Sequence, residues 1–245
     1  MKENKYDDIA FFEQYQKMYR SQKGLEGAGE WHVLKKMLPD FTSKEVLDLG
    51  CGFGWHCRYA IENGAKSVIG VDISEKMLNK ARQINNLKGI EYIRIPLEDV
   101  SYPAEKFDIV LSSLTFHYLE SFDTMSRHIY QWLKPGGHFV FSVEHPVFTA
   151  YGTQDWIYGE NNEKLFWPVD NYFIEGKRKA TFLGEEVIKY HRTLTTYINS
   201  LLKQGFTINE ITEPQPNAEM LDQFAEMKEE LRRPMMLLIS AEKQP

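Results

Sequence analysis

Short β-branched runs alternate with stretches of helical periodicity between residues 44 and 143. This alternation is typical of βαβ units, which build a parallel sheet with helices on both faces. The predicted elements, in chain order, are a strand at 46–49, a helix at 56–63, a strand at 67–71, a helix at 75–84, strands at 90–95 and 107–112, a helix at 122–133 and a strand at 138–143. The pattern therefore predicts an α/β fold with a doubly wound, mostly parallel sheet.

The rhythm breaks at residues 144–190, which are rich in aromatic and turn residues, and we interpret this stretch as an inserted substrate cap. It resumes with a helix at 193–203, a strand at 206–211, a charged surface helix at 219–231 and a strand at 235–241, which gives seven strands. An apolar stripe with helical spacing near the N-terminus predicts one or two lid helices, formed around Phe11, Phe12, Tyr15, Met18 and Tyr19. The predicted organisation is a lid at 1–43, a core at 44–143, the cap at 144–190 and completion of the sheet at 191–245.

Composition narrows the possible functions. With 245 residues, of which 42% are hydrophobic, the chain can bury a full-sized core. The longest apolar run, residues 235–239, is too short to cross a membrane, and acidic residues stand where a secretory signal would be apolar. Cys51 and Cys57 suggest neither a disulfide framework nor a zinc site, so we predict a cytoplasmic protein without a metal. A net charge of −6 disfavours nucleic acid and favours small substrates.

A glycine-rich turn follows the first predicted strand, with Gly50, Gly52 and Gly54 spaced as G-x-G-x-G. Glycines allow a backbone to turn sharply and to approach a ligand closely. The dinucleotide fingerprint requires glycine at position 55, where this chain has Trp55, so NAD is disfavoured. Asp48, two positions before the first glycine, instead suits a ligand that carries an amino acid, because its carboxylate could face the ammonium group directly or through water.

A second acidic residue, Asp72, ends the second predicted strand. In a doubly wound sheet, a carboxylate at this place can accept hydrogen bonds from both hydroxyls of a ribose. The combination of Asp72 with the glycine-rich turn therefore predicts an adenosine-containing ligand.

Together these residues resemble the class I S-adenosylmethionine-dependent methyltransferases, in particular the small-molecule, type 11/25-like members. The resemblance spans about residues 46–143 and includes Asp48-Leu-Gly50-Cys-Gly52-Phe-Gly54, Asp72-Ile-Ser74-Glu-Lys-Met77-Leu78, Phe107-Asp108-Ile-Val-Leu-Ser112-Ser113 and Leu133-Lys134-Pro135-Gly136-Gly137. It implies a Rossmann-like fold and S-adenosyl-L-methionine as the cofactor. The glycine-rich turn would wrap the methionine part, and Asp72 would hold the ribose.

The resemblance also implies a set of cofactor contacts. Leu97, Glu98 and Asp99 would border the adenine; many relatives have Asp or Asn near position 96, where this chain has Pro96, so Glu98 or Asp99 would read the adenine amine. Arg20 would meet the cofactor carboxylate when the lid closes. The full predicted set is Arg20, Asp48, Gly50, Cys51, Gly52, Gly54, Asp72, Ile73, Met77, Leu97, Glu98, Asp99 and Ser112.

Candidates for the acceptor side lie just after the strands. We predict that Glu144, His145 and His191 border the acceptor pocket, with His145 as a possible general base and His117 as another histidine at a strand end. The alternative for Glu144 is a salt bridge with Arg192 that anchors the insertion. Aromatic residues could line the pocket or form the core of the cap: Tyr118, Trp156, Trp167 and Tyr172.

The sequence thus predicts methyl transfer from S-adenosylmethionine to an oxygen or nitrogen atom of a small molecule. Two alternatives remain open: a peptide, protein or nucleic-acid methyltransferase, and a non-catalytic module that binds S-adenosylmethionine. The sequence identifies neither the acceptor nor the oligomeric state.

Overall fold

A central sheet organises the computed structural model, which describes residues 4–245. The strands in this part of the chain are β1 (Glu45–Leu49), β2 (Ser67–Asp72), β3 (Ile90–Arg94), β4 (Phe107–Ser113), β5 (Leu133–Glu144), β6 (Ile157–Tyr158), β7 (Lys164–Phe166), β8 (Gly176–Phe182), β9 (Glu185–His191), β10 (Phe206–Thr212) and β11 (Met236–Lys243). Seven of them form the sheet, in the order β10-β11-β5-β4-β1-β2-β3. Within this sheet, only β11 runs against its neighbours β5 and β10. The predicted seven-stranded, mostly parallel, Rossmann-like sheet is confirmed.

Helices connect these strands and precede them. Those in the described chain are α1 (Ile9–Lys17), α2 (Tyr19–Lys23), α3 (Trp31–Met37), α4 (Trp55–Glu62), α5 (Glu75–Ile84), α6 (Phe122–Trp132), α7 (Pro146–Thr149), α8 (Leu194–Gln204), α9 (Ala218–Gln223) and α10 (Met227–Glu230). Short 3₁₀ turns lie at Lys5–Asp7, Gly24–Gly27, Leu97–Asp99 and Phe116–Tyr118. The predicted N-cap is present, because Ser74 Oγ accepts a 3.1 Å hydrogen bond from the backbone N–H of Met77.

Two hydrophobic layers enclose the sheet, because successive side chains of a strand point to opposite faces. In β1, Leu47 and Leu49 pack with residues of α6 and α8, whereas Val46 packs with residues of α3 and α4. All three side chains are buried. Burial on both faces explains why β1 is almost uninterruptedly hydrophobic on either side of Asp48.

The N-terminal segment is attached to the N-terminus of α5. The Asp7 carboxylate accepts a 2.6 Å hydrogen bond from Ser74 Oγ and a 3.0 Å hydrogen bond from the backbone N–H of Lys76. These bonds satisfy donors at the helix N-terminus, where a negative charge is favourable. Asp7 thus holds the first 3₁₀ turn and α1 over the carboxyl ends of the strands.

The chain after β5 differs in part from the prediction. The stretch interpreted as an insertion contains α7 and two antiparallel hairpins, β6–β7 and β8–β9. The charged helix predicted at 219–231 is instead two short helices, α9 and α10, and Phe224 ends α9 with an extended backbone conformation. No helix within residues 4–245 is long and apolar enough to span a membrane.

Candidate active site

A cavity of about 430 Å³ lies where β1, β2, β4 and β5 end, beneath α1 and α2. Parallel strands bring their carboxyl ends to one edge of the sheet, and ligands of open α/β folds bind there. The glycine-loop half of this cavity is lined by Gly50, Gly52, Asp72, Ile73, Met77, Leu97 and Glu98. The far half, on the β4–β5 side, is lined mainly by Tyr6, His117, Tyr118, Glu144 and Phe182 and by residues between 214 and 236.

The glycine-rich turn has the left-handed backbone that glycine permits, with φ of 77° at Gly50, 54° at Gly52 and 74° at Gly54. A β-carbon at Gly50 or Gly54 would collide with protein atoms, 2.3 Å from Thr115 Oγ1 and 2.1 Å from Tyr92 Oη respectively. At Gly52 it would meet only the flexible end of Met77, at 3.3 Å. Gly50 and Gly54 are therefore required by packing, whereas Gly52 keeps the cavity open.

Asp72 lies at the end of β2 and faces the cavity. Its carboxylate accepts hydrogen bonds from the backbone N–H of Gly52 (3.0 Å) and of Ser74 (2.9 Å), one on each oxygen. Burial raises the pKa of Asp72 to about 6, although the two N–H groups act in the opposite direction. Each oxygen can accept further hydrogen bonds, as recognition of two ribose hydroxyls requires.

Asp48 occupies a different position from the one predicted. Its side chain is buried beneath the turn and accepts a 3.2 Å hydrogen bond from Cys57 Sγ, and burial raises its pKa to about 7. Asp48 does not line the cavity, so the predicted direct contact with a ligand ammonium is wrong. The cause is local, because Asp48 belongs to β1 and points into the layer beneath the turn.

Four other predicted contacts also lie outside the main cavity, and one of them, Cys51, is buried beside the turn. Ser112 is buried and donates a 2.8 Å hydrogen bond to the carbonyl of Leu49. Gly54 begins α4, and Asp99 lies beyond the lining residues. The other predicted contacts in this half, including Leu97 and Glu98, do line the cavity.

A second cavity, of about 60 Å³, adjoins the turn and is lined by Arg20, Cys51, Trp55 and His56 among others. Arg20 donates a 3.1 Å hydrogen bond to Glu30 Oε1, which also accepts one from Ser113 Oγ. Burial would raise the pKa of Glu30, but the Arg20 guanidinium and the hydrogen bonds to the carboxylate together hold that pKa below its ordinary value. Glu30 Oε2 and Trp55 Nε1 are buried without hydrogen-bond partners among the described residues.

Such orphaned groups require a partner, and this pair offers an acceptor and a donor. The acceptor is a carboxylate oxygen, and the donor is an indole N–H beside the Arg20 guanidinium. An amino acid carries one ammonium and one carboxylate, which match these two groups. The small cavity therefore suits the methionine end of the cofactor.

In the far half, Glu144 ends β5 and forms an ion pair with Lys189 of β9, with 2.5 Å between Glu144 Oε1 and Lys189 Nζ. Its other oxygen accepts a hydrogen bond from Gln154 Nε2. Burial would raise the pKa of Glu144, but the neighbouring groups, of which the Lys189 ammonium contributes most, together keep that pKa below the ordinary value. Glu144 is thus an ionised carboxylate whose charge is balanced by Lys189.

The predicted salt bridge between Glu144 and Arg192 is consequently wrong. Arg192 is buried and donates instead to the backbone carbonyls of Phe116 and Leu119, next to the 3₁₀ turn that carries His117. Lys189 takes its place because alternate residues of β9 face the end of β5.

His117 lines the cavity as a neutral ring. Its Nδ1 accepts a 3.3 Å hydrogen bond from the backbone N–H of Glu144, which leaves the proton on Nε2, 3.9 Å from Glu144 Oε1. Burial lowers the pKa of His117 to about 4. His117 can therefore donate a hydrogen bond, while its lone pair is already used.

His145 and His191 do not line the cavity, contrary to the prediction that they border it. His145 Nδ1 accepts from the backbone N–H of Val147, and its Nε2 lies 2.7 Å from Glu213 Oε1. His191 Nδ1 lies 2.8 Å from Thr149 Oγ1, and its Nε2 is 2.9 Å from the carbonyl of Tyr172. The His145 ring links the start of the inserted segment to the chain after β10, whereas the His191 ring links two parts of that segment to the end of β9.

Comparisons with known proteins decide the family. Residues 47–141 match the methyltransferase domain model. The crystal structure of a candidate S-adenosylmethionine-dependent methyltransferase from Listeria monocytogenes matches this structure with a TM-score of 0.86. The two sequences are 57% identical, and the match covers 91% of this chain and all of the Listeria chain. A second S-adenosylmethionine-dependent methyltransferase, from Mesorhizobium loti, is 44% identical over 89% of this chain and all of its own, with a TM-score of 0.82.

This chain belongs to the class I S-adenosylmethionine-dependent methyltransferases. An uncharacterized protein of Haemophilus influenzae is similar to this methyltransferase along its whole length, being 34% identical over 97% of this chain and 96% of its own. Relatives with named acceptors match a smaller part. The fatty-acid O-methyltransferase of Mycolicibacterium smegmatis is 28% identical, and the match covers 48% of this chain and 42% of that enzyme. Protein arginine N-methyltransferase 1 of Dictyostelium discoideum is 37% identical, and the match covers 47% of this chain and 36% of that enzyme.

Sequence reasoning missed much of the far wall of the methyltransferase cavity. Tyr6 lines the cavity and its hydroxyl lies 3.2 Å from that of Tyr118. The segment between β10 and β11 contributes a further set of lining residues: Pro214, Pro216, Met220, Met227, Glu230, Met235 and Met236. The seven-residue spacing of Met220 and Met227 was not a usable signal, because the two residues lie on separate short helices, α9 and α10.

Proposed function

We propose that this methyltransferase transfers a methyl group to an oxygen or nitrogen atom of a small-molecule acceptor. The observation that carries the proposal is the single cavity, which joins Gly52 and Asp72 to the enclosed far half around Tyr6, Tyr118 and Glu144. A cofactor and an acceptor can thus meet in one space beneath α1 and α2. We further propose that the enzyme acts in the cytoplasm.

The chain offers a matching group for each part of the cofactor. Asp72 accepts the ribose hydroxyls, and Leu97 packs against the adenine. The Arg20 guanidinium and Trp55 Nε1–H bind the carboxylate, and Glu30 Oε2 accepts from the ammonium group. This assignment is supported by the burial of the two orphaned atoms and by the place of Arg20 and Trp55 in the lining of the small cavity next to Gly52.

S-adenosylmethionine supplies an electrophilic methyl group on a sulfonium. The acceptor atom would form the new bond to this carbon and lose its proton, and S-adenosylhomocysteine would leave with the electron pair of the broken carbon–sulfur bond. The protein's task is to align the acceptor atom with that methyl group at about 3 Å and to exclude water. Tyr6 and Tyr15, which lie in the N-terminal segment and face the cavity, cover the site for this purpose.

The far half is organised for positioning rather than for proton abstraction. Near neutral pH the His117 ring is uncharged, and its lone pair accepts from the backbone of Glu144. Burial raises the pKa of Tyr118, and the nearby Lys189 only partly offsets it, so the phenol stays protonated. These groups can orient an acceptor by hydrogen bonds, and the released proton passes to water.

A small acceptor is favoured over a macromolecule by enclosure and by charge. The cavity is roofed by α1 and α2, and the chain has a net charge of −6, which repels a nucleic-acid backbone. Relatives that methylate fatty acids and malonyl-acyl-carrier protein match the chain in part. Relatives named for tRNA and for protein arginine also match in part, so the experiment includes both classes.

Turnover is tested by the release of S-adenosylhomocysteine with a metabolite panel, a total tRNA preparation and a protein extract as separate acceptors. Release above the buffer rate with a metabolite supports the proposal. Release with tRNA or protein alone contradicts it. Tight binding of S-adenosylhomocysteine by calorimetry without release in any arm would identify a non-catalytic binding module.

A further inference from the structure

The charged side chains that line the cavity outside the glycine-loop half are all paired within the protein. They are Arg20, Glu144 and Glu230. Arg20 pairs with Glu30 at 3.1 Å, Glu144 with Lys189 at 2.5 Å, and Glu230 with Arg233 at 2.6 Å. The remaining ionised groups of the lining, Asp72 and Glu98, belong to the glycine-loop half.

The pair nearest to the acceptor is also the most enclosed. Lys189 is 2% exposed, and its ammonium donates both to Glu144 Oε1 and to Gln154 Oε1, at 2.7 Å. It lies over the rings of Tyr118 and Phe182, at 5.8 and 5.3 Å from their centroids. The carboxylate and the ammonium balance each other's charge, so the pair carries no net charge that would attract a charged acceptor.

Arg233 neutralises the opposite wall in a similar way. Its two terminal nitrogens bond to the two oxygens of Glu230, at 2.6 and 3.1 Å, and its guanidinium stacks 4.2 Å from the Trp167 ring centroid. This arrangement fixes the inserted segment to α10. Glu230 therefore serves a structural pair rather than an acceptor ammonium.

The surface between these pairs is largely apolar and rich in methionine. Its lining includes Met18, Met220, Met227, Met235, Met236 and Pro214. Methionine side chains are unbranched and polarisable, so they adapt to apolar or aromatic ligands of irregular shape. The polar side chains of this part of the lining that belong to none of the three pairs are neutral, and they include the hydroxyls of Tyr6, Tyr15, Tyr118 and Thr115 and the Nε2–H of His117.

We infer that the acceptor is an uncharged, mainly apolar molecule whose single polar group is held by the Tyr6–Tyr118 hydroxyl pair and His117. The inference rests on the proposed function and narrows its substrate class. An anionic acceptor would need a cation that is not already paired, and a cationic acceptor an unpaired carboxylate. Arg20 and Glu30 are assigned to the cofactor, and the Glu144–Lys189 and Glu230–Arg233 pairs are each neutral, so an ionic acceptor would bring in a charge that has no counter-charge in this half.

Three probes of one shape test this inference: 2-naphthol, 2-naphthoate and 2-naphthylmethylammonium, each titrated by calorimetry into protein saturated with S-adenosylhomocysteine. The neutral probe should bind at least about tenfold more tightly than either ion, since the ions lose hydration without gaining a counter-charge. Equal or tighter binding of an ion overturns the inference, as does failure of the neutral probe to bind. Failure of S-adenosylhomocysteine itself to bind would instead contradict the proposed function.

A matched pair of variants sharpens the test. Met227 lines the cavity, whereas Leu231 lies four residues later, is 51% exposed and does not line it. Met227→Lys should weaken 2-naphthol by about tenfold and strengthen 2-naphthoate, because it adds an unpaired cation to the wall. Leu231→Lys should change neither. Met220→Lys repeats the experiment from α9, and identical behaviour of the cavity variants and Leu231→Lys would overturn the inference.

Discussion

The glycine-loop half of the cavity is built from residues close together in the chain, whereas the far half joins the two ends of the chain. Gly50, Gly52, Asp72 and Leu97 follow successive parallel strands. Tyr6 and Met236, in contrast, come from the first turn and the last strand. The order of the parallel strands determines which residues meet at neighbouring strand ends. The far wall instead depends on how the N-terminal segment, the inserted segment and the chain between β10 and β11 pack onto the sheet.

The two halves also manage charge differently. In the glycine-loop half Asp72 is held by two backbone N–H groups and keeps room for a ligand, and burial raises its pKa to about 6. In the far half Glu144 is compensated by Lys189 and Gln154. The glycine-loop half thus keeps a carboxylate that can bind a charged or polar ligand, whereas the charges of the far half are balanced within the protein. This contrast predicts effects of different size when single side chains are changed in the two halves.

The largest effect is expected from Lys189→Met, which leaves the buried Glu144 carboxylate without its cation. Breaking a buried ion pair by removing one partner costs about 3–5 kcal/mol of unfolding free energy. Urea denaturation of the wild type and the variant measures it. The double variant Lys189→Met/Glu144→Gln should recover most of the loss, because it removes the unpaired charge. A loss below about 1 kcal/mol in the single variant, as for an exposed pair, would contradict the view that this half is built on compensated charges.

Gly52→Val should raise the dissociation constant of S-adenosylhomocysteine by about 100-fold. The added carbons have space within the protein but enter the volume assigned to the cofactor, and overpacking of this kind costs about 1–3 kcal/mol. Gly136→Val is the matched control, since Gly136 has φ of 73°, has open space around it and lies at the start of β5, away from the cavity. Gly136→Val therefore introduces the same kind of backbone strain as Gly52→Val, but its side chain does not reach the cofactor. Equal affinities in the two variants would show that the turn does not touch the cofactor.

The glycine-loop half was predictable because its chemistry is encoded locally. The turn after β1 and the carboxylate after β2 occur at fixed places of a βαβ pattern, so the spacing of Gly50, Gly52 and Asp72 already placed them at one sheet edge. Asp48 was misplaced because strand alternation, rather than proximity to the glycines, decides where it points. Its side chain meets Cys57 of α4 instead.

The far half was less predictable for a physical reason. His145 and Glu144 are adjacent in sequence, yet only Glu144 faces the cavity, because β5 ends between them and the backbone turns into α7. Which residue pairs with Glu144 depends on how the β8–β9 hairpin packs against the end of β5, and no local sequence pattern reports this packing. The sequence did not predict that Tyr6 lines the cavity, because the position of Tyr6 follows from the attachment of Asp7 to α5.

A smaller effect is expected from pH. Since the pKa of Asp72 in the free protein is about 6, its carboxylate is ionised above that pH and protonated below it. Affinity for S-adenosylhomocysteine should therefore be constant above pH 7 and fall below pH 6, by up to about tenfold per unit for a single proton. Asp72→Asn should bind about 10- to 100-fold more weakly at pH 8, from the loss of one charge-assisted hydrogen bond, and should lack this pH dependence.

The affinities of the wild type and of Asp72→Asn for S-adenosylhomocysteine are measured by calorimetry from pH 5 to 8. Asp48, whose pKa is about 7, is present in both proteins, so a pH dependence found only in the wild type belongs to Asp72. If the wild type and Asp72→Asn keep parallel profiles, the titrating group is not Asp72.

The smallest effect on catalysis is expected at His145, although the residue follows Glu144 directly. His145 does not line the cavity, and its Nδ1 caps α7 by accepting from the backbone N–H of Val147 at 3.0 Å. His145→Ala should cost about 1 kcal/mol of stability, as loss of a helix cap does. Turnover and the acceptor KM should both stay within about twofold of wild type, since neither cavity half loses a contact. His117→Ala, which removes a ring that faces the acceptor, should raise the acceptor KM by about tenfold through one lost hydrogen bond. If His145→Ala instead slows turnover by about 100-fold or more, the size expected for loss of a general base, His145 takes part in the reaction and the far half must rearrange around a bound acceptor.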